Sequence, residues 1–327
     1  MKTRRRVSLA AAYVALALIW GSSFLLIKES LIGLAPGQVA VGRIVLGAIT
    51  LRTIMVITDR HWPREPRFWG HMTVVGLLLC VVPFSLFAWA GESLPSGLSA
   101  ILNAATPLMT AVATAAVVPT ERMRPRQGAG IAIGGLGVVL VVGPWSLAGD
   151  PALLASVPAE FACLGATACY GLGFAYLRRF VVGRYTYDSV TVSTVQLTMA
   201  AAVAVAAAPF LAAPFASQPT PAPLALAALA LLGVFGTGIA YIWNTAIVTH
   251  WGAVTASTVT YLTPLVGVSL GVAVLGEGLS WNQPLGCLVV IAGVVLSHRA
   301  GRQPPVRVVG RPAESLAPNE SAALSAR

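Results

Sequence analysis

Ala104-Ala105-Thr106-Pro107-Leu108 is followed by Glu121, then Gly130, then Gly137-Val138-Val139. Near the carboxyl end, Tyr261-Leu262-Thr263-Pro264-Leu265 is followed by Glu277, then Gly286, then Gly293-Val294-Val295. From glutamate to glycine to glycine the spacing is nine and then seven residues in both copies. The copies stand 157 residues apart at the proline and 156 apart from the glutamate onward. A repeat of this length decides the architecture before any single residue does. Both copies lie among segments apolar enough to span a bilayer, and duplicated helix sets around a central site are a transporter design.

Of 327 residues, 57% are apolar and only 10% are charged, with a mean hydropathy of +0.80. A soluble domain carries about 25% charged residues, so the composition predicts an all-α membrane protein. About 20 apolar residues cross a bilayer core as helix. Ten such spans are predicted: 9–27, 39–58, 69–90, 97–118, 128–147, 157–177, 189–213, 224–246, 253–275 and 282–298. Breakers such as Pro36-Gly37, Pro95-Ser96-Gly97 and Pro219-Thr220-Pro221 separate them. Residues 1–8 form a basic amino-terminal segment, and 299–327, rich in Pro, Ala, Ser and charge, read as a disordered tail. The first apolar run, Leu9 to Ile27, exceeds the roughly 7–15 residues of a signal sequence, so it reads as a retained helix.

Basic residues stay on the cytoplasmic side of a membrane. With the amino terminus inside, the inner segments hold eighteen Lys and Arg, and the outer segments hold only Lys28. Both termini are therefore expected in the cytoplasm, in a multi-pass protein of the plasma (inner) membrane. The net charge of +10 reflects this topology and not affinity for nucleic acid. The expected partners are membrane lipids and a small-molecule substrate.

The repeat extends beyond its opening blocks. Trp20-Gly21 and Phe24 match Tyr170-Gly171 and Phe174 at an offset of 150, and Gly76 matches Gly233 at 157. Each copy thus holds five spans, 9–147 and 148–298. Five is odd, so the halves enter the membrane from opposite sides as an inverted repeat.

Trp20-Gly21-Ser22-Ser23-Phe24 in the first span, Arg43 in the second and the two Thr-Pro-Leu…Glu…Gly…Gly blocks, taken in order, resemble the EamA-like branch of the drug/metabolite transporter superfamily. Glu160 resembles the acidic position that opens the second half there. The resemblance covers residues 9–298 and departs mildly where Tyr170 stands for Trp20. It implies a ten-helix carrier that moves small organic metabolites, amino acids or related compounds and drugs among them, outward by alternating access. A lipid or lipid-linked-sugar flippase of the same superfamily has the same frame and stays open as an alternative. A membrane-embedded enzyme fits poorly: there is no H-E-x-x-H, no paired intramembrane acids, and His61, His71, His250 and His298 sit near membrane ends or in loops. No catalytic residue, metal site or cofactor is expected.

Arg43 is the sharpest candidate site residue, because a cation inside a membrane helix faces a cavity or a partner. Its planar guanidinium suits a ligand carboxylate or phosphate; pairing with a protein acid or a backbone carbonyl is the other reading. Arg52, near the inner face, reads as snorkelling. Gln196 holds in the seventh span roughly the place of Arg43, and with Asn103 and Asn244 it supplies amides that bind a ligand or bridge helices. Pro107 and Pro264 remove a helical bond each and free the carbonyls of Asn103 and Thr260, either as simple kinks or as cavity walls. Trp20, Tyr170 and Tyr261 are the expected aromatic walls, with Ser23 beside them.

Glu121 and Glu277 precede spans five and ten, where a carboxylate meets a helix amino terminus. Glu160 reads as a helix-start cap or, less simply, a proton relay. Cys80, Cys163, Cys169 and Cys287 lie inside apolar runs and read as packing residues. Gly130, Gly134, Gly137, Gly286 and Gly293 recur at helical spacings, for packing within the chain or at a dimer interface. Monomer and homodimer both stay open.

Overall fold

The computed structural model describes residues 2–118, 125–143, 151–211, 221–252 and 256–299. Helices joined by short connections make up these residues, and no strand occurs among them. The helices are α1 (Lys2–Ser30), α2 (Pro36–Ile57), α3 (Pro66–Gly76), α4 (Val82–Ser93), α5 (Ser96–Asn103), α6 (Thr106–Val117) and α7 (Pro125–Val142). Then come α8 (Pro151–Phe180), α9 (Ser189–Leu211), α10 (Pro223–Gly233), α11 (Ala240–Trp251), α12 (Thr263–Leu275) and α13 (Asn282–Arg299). Seven described helical runs are long and apolar enough to cross a bilayer: Leu9–Ser30, Pro36–Ile57, Pro66–Ser93, Ser96–Val117, Ser189–Phe210, Pro223–Trp251 and Thr258–Leu275. Gly128–Val142 and Asn282–Gly293 are shorter apolar helices. The predicted span 157–177 falls inside the 30-residue α8, whose apolar run Pro158 and Glu160 interrupt. The chain is a multi-pass helical membrane protein.

Helix boundaries differ from the sequence reading at the start of the chain. α1 begins at Lys2, so the backbone of the basic segment continues the first helix. α2 begins at Pro36, whose missing N–H costs nothing in a first turn, and the Ala35 N–H donates to Gln38 Oε1 at 3.0 Å. Glu121 and the tail beyond 299 lie outside the described residues.

Both Thr-Pro-Leu blocks break a helix. α5 ends at Asn103 and α6 starts at Thr106; a 3-10 turn, Thr258–Tyr261, precedes α12 at Thr263. A proline in each second position cannot donate to the carbonyl four residues back. The threonine before it does so instead: Thr106 Oγ1 donates to Asn103 O, and Thr263 Oγ1 to Thr260 O, both at 2.8 Å. Thr-Pro is thus a self-satisfying break, since the hydroxyl replaces the N–H that proline lacks.

A second pair of irregularities recurs 157 residues apart. A π-helical turn, Leu77–Val81, joins α3 to α4, and another, Val234–Ile239, joins α10 to α11. Such turns insert a residue into a helix and are frequent at functional sites. Gly76 and Gly233 open them, because neighbouring backbone crosses there. A Cβ on Gly76 would lie 3.0 Å from Gln196 O, and one on Gly233 would lie 3.3 Å from Arg43 O and 2.5 Å from Leu46 Cβ.

α7 and α13 pack backbone against backbone. A Cβ on Gly137 would lie 2.5 Å from Val290 N and 2.9 Å from Gly286 O; one on Gly293 would lie 2.4 Å from Gly134 N and 2.6 Å from Gly130 O. Residue numbers rise along one helix as they fall along the other, so these repeat-equivalent helices run antiparallel. The glycine stripes face each other within one chain, and absent side chains let the backbones approach.

Two carboxylates differ from their expected places. Glu277 does meet a helix amino terminus, but that of α5. It accepts from Ser96 N at 2.7 Å, Ser96 Oγ at 2.9 Å and Gly97 N at 3.0 Å. Glu160 is no helix-start cap, because α8 begins nine residues earlier; it is 5% exposed and accepts from Ser156 Oγ at 3.2 Å. Lys28 Nζ donates to Gly91 O and Leu94 O, both at 2.9 Å, at the same end of the bundle as Glu277. Arg60 pairs with Asp188, which joins the connection after α2 to the one between α8 and α9.

Candidate functional site

A cavity lies where α1, α2, α4, α8 and α11 meet the two broken helices. Its walls include Trp20, Ser23, Arg43, Asn103, Tyr170 and Asn244, six of the eight residues expected to bind a ligand. Phe24, Ile27, Leu79, Phe84, Phe87, Thr106, Phe174, Tyr241 and Thr260 complete the lining. Ten of the fifteen form repeat-equivalent pairs: Trp20 with Tyr170, Phe24 with Phe174, Phe84 with Tyr241, Phe87 with Asn244, and Asn103 with Thr260. The first two pairs carry the offset of 150 and the others 157, so the offsets that relate the motifs also relate the walls. The repeat held the signal that finds Phe84 and Tyr241, which lie as far apart as Pro107 and Pro264.

The aromatic walls brace one another. Phe24 meets Phe87 edge-on with centroids 5.4 Å apart, Phe87 lies against Tyr170 at 6.1 Å, and Tyr241 contacts Trp20 and Phe84 at 6.3 and 6.4 Å. Edge-to-face and offset pairs at such separations are favourable beyond the area they bury. The π-helical turns supply the polar anchors. Trp20 Nε1 donates to Gly236 O at 3.2 Å, and the Tyr241 hydroxyl donates to Leu79 O.

Arg43 is 4% exposed. Its Nε donates to Thr237 Oγ1 at 3.2 Å, and its guanidinium carbon lies 3.6 Å from the centre of the Phe84 ring. Gln196, 153 residues further on, makes the matching contact on the other side. Its Nε2 approaches Cys80 Sγ at 3.6 Å, and Cys80 is the repeat partner of Thr237. The long guanidinium reaches past its partner into the cavity, whereas the shorter amide stops at the thiol. Gln196, 2% exposed, is therefore outside the lining.

Tyr261 is also outside the lining. It directly follows Thr260 in a tight turn, so when Thr260 faces the cavity Tyr261 turns away, against a small cluster of Ala104, Leu108 and Val290. Pro107 and Pro264 flank the cavity through the breaks they impose, and Asn103 Nδ2 reaches across to Thr263 Oγ1 at 3.4 Å. Arg52 bonds Thr198 Oγ1 at 3.2 Å, away from the cavity.

The model of the EamA-like transporter family matches the chain over residues 8–143 and again over 157–299. Among curated proteins, the "Uncharacterized inner membrane transporter YedA" of Escherichia coli K12 is 25% identical over 300 residues, covering 90% of this chain and 92% of its own. Its counterpart in Escherichia coli O157:H7 matches equally. A crystal structure of a protein with 19% identity shares the fold, with a TM-score of 0.64 over 90% of this chain and 99% of that one.

Proposed function

Since the chain belongs to the EamA-like transporter family, within the drug/metabolite transporter superfamily, we propose that it carries small organic metabolites across the plasma (inner) membrane by alternating access, in the outward direction. Ten spans form two inverted five-helix halves, with both termini in the cytoplasm. The observation that carries this reading is the cavity lined by five repeat-equivalent pairs, at the breaks of two symmetry-related helices. Inverted halves with a site at discontinuous helices let one rocking motion expose that site to each side in turn. The antiparallel packing of α7 on α13 supports the inversion, since equivalent helices of inverted halves point opposite ways. The Arg60–Asp188 contact agrees with the charge count, which puts both connections inside.

Counterflow into proteoliposomes tests the function, with amino acids, their analogues, nucleosides and cationic dyes as trial solutes. Exchange of at least one water-soluble solute is expected. A folded protein that exchanges none, or that moves only lipid between leaflets, refutes the carrier reading. Single cysteines at Asp59 and Gly278, in a background without native cysteines, test the topology and should label from opposite sides.

A further inference from the structure

We infer that the cavity selects an organic carboxylate with a single negative charge and a flat apolar body, and that Arg43 is the residue that reads the charge. This rests on the carrier reading above and narrows it to a substrate class. Among the described residues, Arg43 is the one that lines the cavity with a formal charge, and no aspartate or glutamate lines it. Among the described residues the ion pair present is Arg60–Asp188, and nothing beyond Thr237 accepts from the guanidinium. The groups around it, Tyr170, Tyr241 and Cys80, are uncharged side chains.

A cation buried in a membrane protein without a counter-charge is expensive. The guanidinium carbon lies over the Phe84 ring, 3.6 Å from its centre, which lowers that cost. The terminal N–H groups of a guanidinium lie in its plane. The in-plane edge is the part that binds a carboxylate as a two-pronged fork. A single positive charge balances a monoanion. A phosphate monoester, at about −1.5 to −2 near neutral pH, would leave uncompensated charge in the cavity.

A second group narrows the class further. Asn244 is 3% exposed, and its Oδ1 is buried with no hydrogen-bond partner. An acceptor left open at a cavity wall calls for a ligand N–H or O–H. Several other polar groups of the lining are occupied: Ser23 Oγ donates to Ile19 O, Trp20 Nε1 to Gly236 O, and Thr106 Oγ1 to Asn103 O. Trp20, Phe87 and Tyr170 supply flat apolar surface for the rest of the molecule.

Three probes with one ring and different charge test this: indole-3-acetate, indole-3-acetamide and tryptamine. Binding to the purified full chain is measured by calorimetry at pH 7, and counterflow is measured in parallel. The acid should bind about ten- to a hundredfold more tightly than the neutral amide, the span expected of a charge-assisted hydrogen bond, and tryptamine should bind weakest. Arg43→Gln should erase the difference between acid and amide, and Arg43→Lys should restore part of it. If Arg43→Gln does not fold, Asn244→Asp serves instead: a carboxylate in the same cavity should weaken the acid and strengthen tryptamine. Equal binding of acid and amide, tighter binding of tryptamine, or no binding of any probe overturns the inference. Selective binding of the acid with no exchange of any solute in the counterflow panel leaves the inference standing and refutes the carrier reading; exchange of a probe without preference for the acid does the reverse.

Discussion

Gly137→Ala should loosen the α7–α13 contact, and Gly135→Ala, two residues earlier on the same helix, should not. A Cβ at 137 would fall 2.5 Å from Val290 N and 2.9 Å from Gly286 O, whereas one at 135 meets nothing within 4 Å. Ordinary contact begins near 3.4 Å, so the new methyl needs about 1 Å of extra room, and the atoms in its way are backbone that no rotamer can move. Forcing a carbon into a close-packed contact costs about 1–3 kcal/mol. Alanine also gains about 1 kcal/mol over glycine as a helix former, and that gain is common to both sites. Gly135→Ala is therefore expected to be neutral or slightly stabilising, and Gly137→Ala destabilising by a net of up to about 2 kcal/mol. Gly293→Ala, whose Cβ would meet Gly134 N at 2.4 Å, should behave like Gly137→Ala. The double variant should lose less than the sum, since helices already pushed apart accept the second methyl more easily. Thermal unfolding of the purified protein in one detergent reads all four variants. Equal melting of the 135 and 137 variants would refute the argument that backbone contact at Gly137 holds these helices together.

Three further outcomes follow from particular contacts. Thr106→Val keeps the side-chain shape but removes the hydroxyl that serves the Asn103 carbonyl, so it should cost about 1–3 kcal/mol, while Thr106→Ser should restore most of it; chemical denaturation of both variants checks this. Glu277→Ala deprives two α5 N–H groups and the Ser96 hydroxyl of their acceptor, for a loss of about 1–2 kcal/mol and faster labelling of a cysteine placed at Leu94. Partial burial pushes the Asp188 carboxyl up, but hydrogen bonds from Thr191 and the Arg60 partner outweigh it and hold the group below its usual range. A depressed folded value means stability that is complete above the unfolded value near 4 and lost as pH falls through the folded one. The pair is half-exposed, so the effect should stay under about 1 kcal/mol, and Asp188→Asn should flatten the acid limb of a stability–pH curve.

Membrane character and repeat were legible because both are carried by many residues at once. A stretch such as Val74–Cys80 has no polar alternative to burial, and two matched blocks fix an offset that single substitutions cannot blur. The π-helical turns were not legible, since Leu77-Leu78-Leu79-Cys80-Val81 is as good a sequence for plain α-helix. Six of the eight candidate residues line the cavity because a polar or large aromatic side chain at membrane depth has few places to go. The other two lie outside the lining for local reasons. Tyr261 is turned away by the tight turn it occupies, and Gln196 is stopped by Cys80, a contact that depends on helix crossing. Glu277 was read as serving its own helix; the acceptor chose α5 because the tertiary fold brings that amino terminus closer.

The place where the symmetry fails is the place where it can be tested hardest. Arg43 contacts Thr237 and Phe84; Gln196 contacts Cys80, and the repeat partner of Phe84 is Tyr241. If the halves are built alike, a guanidinium at 196 would reach past Cys80 toward Tyr241 and enter the cavity from the opposite wall. The double variant Arg43→Gln with Gln196→Arg should then regain the preference for indole-3-acetate over indole-3-acetamide that Arg43→Gln alone loses. Gln196 is fully packed, so the longer side chain should also cost about 1–3 kcal/mol of stability. That loss is expected in the melting curve, not in the preference. A folded double variant with no more preference than the single one would mean that the anion seat belongs to the particular surroundings of Arg43. The repeat would then describe the frame of the molecule and not the energetics of its site.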